Sequence, residues 1–87
     1  PNEIKNNLDS IITDNLEILK ISKIITEELE IDQQLFLINF IQEKYWKKTK
    51  NKNIIKKLEN LKLNLREFIQ PRLAWEVALL KVAVENL

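Results

Sequence analysis

The 87-residue chain contains no glycine, histidine, cysteine or methionine. Without glycine a phosphate-cradling loop has no residues to form it, and the absence of histidine and cysteine removes the usual bases, thiol nucleophiles and zinc ligands. Disulfides are excluded as well, so the fold must be held by packing alone. Tight two-residue hairpins depend on residues that accept positive φ, and a chain without glycine is a poor candidate for a hairpin-rich sheet. Long apolar runs are also missing: no stretch reaches the length of a membrane span, and Pro1-Asn2-Glu3-Ile4-Lys5 does not open a signal peptide. These absences point to a soluble, cytoplasmic, all-α domain with no cofactor, no metal, no catalytic residue, no small-molecule substrate and no membrane partner.

What is present is apolar enough to fold. Hydrophobic residues make up 45% and charged residues 31% of the chain, well away from the composition of disorder. A single core of this size is marginal, which makes burial against a partner plausible. Asn, Lys and Ile supply 10, 12 and 13 residues, a bias that lowers the information in any one surface lysine. The chain starts at Pro1 without a methionine, as expected of either a trimmed start or the C-terminal fragment of a longer protein, and the fragment is the favoured expectation.

Leucine and isoleucine recur at spacings of three and four, which predicts a compact bundle of about five helices. The first, about Asn2 to Ile12, carries Ile4, Leu8, Ile11 and Ile12 on one face. Asp14 is the expected cap of a second helix running to Leu29, whose apolar side holds Leu16, Leu19, Ile21, Ile24, Ile25 and Leu29, with Glu17 completing a capping box. Asp32 is the expected cap of a third helix, about Gln33 to Lys48. Its cluster of Leu35, Phe36, Leu37, Ile38, Phe40, Ile41, Tyr45 and Trp46 predicts burial on more than one side. After the polar joint 49–53, a fourth helix to about Ile69 has the stripe Ile54, Leu58, Leu61, Leu65 and Phe68.

The fifth helix starts at Pro71, with Gln70 at the cap position. Leu73, Val77, Leu80, Val84 and Leu87 fall within roughly 80° of one another, and Trp75, Leu79 and Val82 form a second stripe nearly opposite. Arg72 with Glu76 and Lys81 with Glu85 lie between them at the spacing of an ion pair. Two opposed stripes need two packing partners. Either the helix threads its own bundle, or one stripe faces the domain and the other a neighbouring subunit. On the second reading Leu73, Val77, Leu80 and Val84 face the core, while Arg72, Trp75, Glu76, Leu79 and Val82 form the subunit interface.

Charge is divided unevenly. Residues 1–43 hold three lysines and nine acids (−6), whereas residues 44–87 hold eleven basic residues and four acids (+7), so the net +1 conceals a dipolar molecule. Lys44, Lys47, Lys48, Lys50, Lys52, Lys56 and Lys57 lie within fourteen residues free of acids and, with Tyr45 and Trp46 interleaved, form a candidate nucleic-acid contact. The competing account is a solvated joint between helices with both rings turned into the core. The acids Glu27, Glu28, Glu30 and Asp32 are explained by a helix end and the cap that follows it.

The string Phe68-Ile69-Gln70-Pro71-Arg72-Leu73-Ala74-Trp75-Glu76-Val77-Ala78-Leu79-Leu80-Lys81 resembles the last helix of the C-terminal collar domain of bacterial DNA polymerase III clamp-loader subunits. Gln33 to Ile38, Glu43 to Trp46, and Asn15 to Leu29 are similar to preceding helices of the delta prime subunit of cyanobacterial type, with gamma/tau a second match. The resemblance implies a non-catalytic oligomerisation domain whose partners are other clamp-loader subunits in a hetero-oligomeric ring that loads the sliding clamp during DNA replication. It also implies that ATP binding and most DNA contact belong to domains upstream, with DNA met only through the complex. The other functions open to such a chain are a small nucleic-acid-binding protein using the lysine run and a stand-alone helical adaptor.

Overall fold

A computed structural model describes residues 15–67 and 70–86. They form four helices, α1 (Asn15–Glu28), α2 (Ile31–Thr49), α3 (Lys52–Arg66) and α4 (Pro71–Glu85), and no strand occurs among the described residues. The expected first helix over residues 2–12 and its successor's cap at Asp14 lie outside the described residues, as do Phe68 and Leu87. The helices expected second to fifth correspond to α1–α4. Helix α4 packs against α1 on one side and α3 on the other, and α3 also packs against α2.

Each helix contributes a narrow apolar sector to one core. On α3 it is Ile54, Leu58, Leu61 and Leu65, the stripe read from the sequence. On α1 the buried set is Ile18, Ile21, Ser22 and Ile25, which at 100° per residue spans only about 100°. Leu16, Leu19 and Ile24, expected on the apolar side, lie outside that sector and are exposed. The burial of α2 is likewise one-sided rather than two-sided: Gln34, Leu37, Ile38, Ile41 and Tyr45 face inward, whereas Phe36, Phe40 and Trp46 keep substantial exposure. A density of large side chains is not by itself evidence that a second face is covered.

Ser22 brings a hydroxyl into the core at 0% exposure, and its Oγ has no hydrogen-bond partner among the described residues. An unmade hydrogen bond at a buried site is costly, and alanine is also the better helix former. Ser22→Ala is therefore expected to stabilise the domain by about 1 kcal/mol, a rise of about 4–8 °C in the midpoint of a thermal melt.

The α1–α2 and α2–α3 joints are short and built from side-chain hydrogen bonds. Between α1 and α2 the helix begins earlier than expected: Glu30, not Asp32, occupies the cap position, and its backbone N–H donates to Gln33 Oε1 at 2.9 Å. Asp32 is left inside the first turn, where its charge suits the positive helix end. The five-residue joint expected at 49–53 shrinks to Lys50 and Asn51. Thr49 Oγ1 donates to the Tyr45 carbonyl at 2.8 Å and accepts the Asn51 N–H at 3.1 Å. Asn51 Oδ1 then caps α3 by accepting from the N–H groups of Asn53 and Ile54. Lys50 makes the reversal in the left-handed region, with φ 54°. A glycine would normally take that position, and this chain has none to offer.

A polar seam fixes α2 against α3. Gln42 Nε2 donates to the Ile55 carbonyl and to Glu59 Oε1, both at 3.2 Å, while Lys62 Nζ reaches Asn39 Oδ1 and Glu59 Oε1, both at 2.9 Å. The hydrogen bond from Lys62, reinforced by that from Gln42, holds the Glu59 carboxyl below the usual carboxylate range. Glu59 remains largely in solvent, so the seam contributes alignment more than stability.

Candidate interaction surfaces

Helix α4 starts where the sequence places it, with Pro71 in the first turn and Gln70 at the cap position. Its orientation is the reverse of the one that the subunit-interface reading requires. Trp75, Leu79 and Val82 are all at 0% exposure, and with Ala74 and Ala78 they form the face that enters the core. The surface that these three residues would give to another subunit is already in contact with their own chain. Leu73, Val77 and Val84 are instead 51%, 39% and 69% exposed, and Leu80 is half-buried.

The reason lies in the alanines. Ala74, Trp75, Ala78, Leu79 and Val82 together occupy a sector about 140° wide, and the small side chains at 74 and 78 let a neighbouring helix backbone come close. Counting only large apolar residues hides this face and makes the Leu73–Val84 stripe look stronger than it is.

A buried hydrogen-bond chain locks this orientation. Trp75 Nε1 donates to Gln34 Oε1 at 2.9 Å, and Gln34 Nε2 in turn donates to the Leu29 carbonyl at 2.9 Å. One side chain, 2% exposed, thus ties the core of α4 to the start of α2 and closes the end of α1. Sequence reading did not single out Gln34. Its signal was position alone, a glutamine falling on the inward sector of α2.

Of the five residues expected at a subunit interface, only Arg72 and Glu76 retain surface. They pair with each other, Arg72 Nε to Glu76 Oε2 at 3.2 Å. Glu85, expected to pair with Lys81, accepts a hydrogen bond from Asn53 Nδ2 at 3.4 Å and so links the end of α4 to the start of α3. The outer stripe of α4 runs into a shallow groove of about 330 Å³ lined by Lys57, Leu80, Lys81, Val84 and Glu85. Apolar floor and charged rim are the usual composition of a protein contact surface.

The lysine run occupies the last turns of α2, the two-residue joint and the first turns of α3. Lys47, Lys48, Lys50, Lys52 and Lys56 are exposed, and Lys44 and Lys57 are half-buried. Lys47 pairs with Glu43 at 3.1 Å, and Lys50 Nζ stands 5.1 Å from the centre of the Trp46 ring. The two aromatic residues part company here: Tyr45 is 2% exposed and belongs to the core, whereas Trp46 is 40% exposed. The acids near the α1–α2 joint are set out along helix ends, and no grouping able to hold a metal ion occurs among the described residues. No described helix is long and apolar enough to cross a membrane.

Residues 1–82 match the family described as cyanobacterial DNA polymerase III delta prime, C-terminal domain. The chain belongs to that family. The match takes in all of α1 to α3 and most of α4, so the core built around Trp75 and Gln34 lies inside the delta prime C-terminal domain. Neither curated proteins nor solved structures yield a match to the chain.

Proposed function

We propose that this chain is the non-catalytic oligomerisation, or collar, domain of a delta prime-like clamp-loader subunit, and that it meets another subunit through the outer face of α4. The observation that carries the reading is the exposed row of Leu73, Val77 and Val84 beside half-buried Leu80 on a helix whose opposite face is already fully engaged. Together with membership of the delta prime C-terminal family, such a row is well suited to a neighbouring helix. Arg72, Glu76, Lys57 and Lys81 would then form the polar rim. In this reading the chain is the C-terminal part of a longer polypeptide, and the ATP-binding region lies upstream of Pro1. The upstream reading frame checks that directly.

The test of the surface is the pair of substitutions Val77→Asp and Val84→Asp. Both positions are exposed, so thermal stability should change by no more than about 0.5 kcal/mol each. Copurification with the other clamp-loader subunits, which the unaltered protein should show, is expected to fall about 5- to 30-fold, as for loss of a contact worth about 1–2 kcal/mol. Unimpaired assembly of the double variant would move the interface off α4.

A further inference from the structure

The α2–α3 joint carries a feature that the interface proposed on α4 does not use. Lys47 at the end of α2 is accounted for by the fold, because it sits in the last turn, where the negative helix end favours cations, and pairs with Glu43. Lys52 begins α3 at its positive end, where a cation is unfavourable, no acid occupies that first turn to offset it, and Lys56 follows one turn on. Lys50 accepts a left-handed backbone that glycine would take more readily. The indole of Trp46 stands exposed beside these charges, while the neighbouring Tyr45 supplies the core contact. If the ring and lysines served packing alone, Trp46 would be expected on the inward sector with Tyr45, and the first turn of α3 would be better served by acids.

We propose that this joint binds single-stranded nucleic acid, with an unpaired base stacking on Trp46 and the phosphate backbone running over Lys48, Lys50, Lys52 and Lys56. An exposed indole supplies a flat apolar surface that any base can cover, and lysines supply point charges that suit phosphates without reading sequence. The indole favours an unpaired strand over a duplex, whose bases are already stacked, and over an acidic protein segment, which offers no planar group to the ring. Lys50, now over one face of the indole, is placed to turn to a phosphate when a base arrives. The site uses none of the residues assigned to the α4 face, so the two assignments are tested independently.

The 87-residue chain should be titrated with a labelled oligo-dT of about 20 nucleotides, by anisotropy of the label and by tryptophan emission. Trp75 is wholly buried, so a quenched signal reports Trp46. Saturable binding with quenching is expected at about 50 mM salt, and log affinity should fall with log salt at a slope of about −2 to −3, the value for three or four phosphates on a single strand. Trp46→Ala should weaken binding about tenfold with a largely unchanged melt, and joint replacement of Lys48, Lys50, Lys52 and Lys56 by Gln should flatten the slope to near zero. The Val77→Asp, Val84→Asp chain should bind as the unaltered one does. Absence of binding at low salt, or binding indifferent to Trp46→Ala, would overturn the proposal. So would a duplex or a polyglutamate peptide that bound as tightly as oligo-dT and quenched Trp46 equally.

Discussion

Trp75→Ala is expected to cost about 3–5 kcal/mol, the range for removing a large aromatic side chain from a packed core, and to leave the domain largely unfolded. The ring is at 0% exposure in the core cluster that it shares with Ala74, Ala78 and Leu79 of its own helix and with the inward residues of the other three helices. An 87-residue domain has roughly 4–13 kcal/mol of total stability, and one with a small core belongs toward the lower end. The loss is deepened because Gln34 Oε1 would be stranded in the interior when its donor disappears. Urea denaturation of the isolated chain, followed by circular dichroism, measures it. A Trp75→Ala chain that melts like the unaltered protein but fails to join other subunits would restore Trp75 to an interface and contradict the packing described. Leu80→Ala, on the half-buried edge of the outer stripe, should cost only about 1 kcal/mol, less than the 2–5 kcal/mol of a fully buried leucine.

That contrast shows where periodicity is informative and where it is not. Helix α3 has one apolar sector and a polar remainder, so its stripe of Ile54, Leu58, Leu61 and Leu65 could be assigned to the core without ambiguity. Helix α4 has two apolar sectors, and spacing alone cannot say which is inside. The choice is made by shape, through alanines that permit close approach, and by a single long-range hydrogen bond between residues 34 and 75. The same limit applies to α2, where the neighbours Tyr45 and Trp46 are both aromatic and only the azimuth separates core from surface. Family membership was legible in the fifth-helix string from Phe68 to Lys81 and is supported over residues 1–82. The exposed row on α4 is not legible in the same way, because two opposed stripes of similar strength do not say which one faces outward.

Gln34 is the second position where a large effect is expected. Gln34→Ala removes a buried side chain that satisfies two groups at once, the Trp75 indole N–H and the Leu29 carbonyl, and should cost about 2–4 kcal/mol. Gln34→Leu fills most of the volume but leaves the indole N–H unpaired in an apolar site, and about 1–3 kcal/mol of destabilisation should persist. The decisive measurement is a double-mutant cycle with Trp75→Phe, which keeps an aromatic ring while deleting the donor. If the hydrogen bond is what makes each single change costly, Gln34→Leu with Trp75→Phe will be more stable than the sum of the two singles by about 1 kcal/mol or more, since neither partner is then left unmatched. Strict additivity would mean that the two residues contribute by volume alone. In the bonded case the Gln34–Trp75 contact selects between the two apolar faces of α4, and so determines that Leu73, Val77 and Val84 are the residues left for a partner.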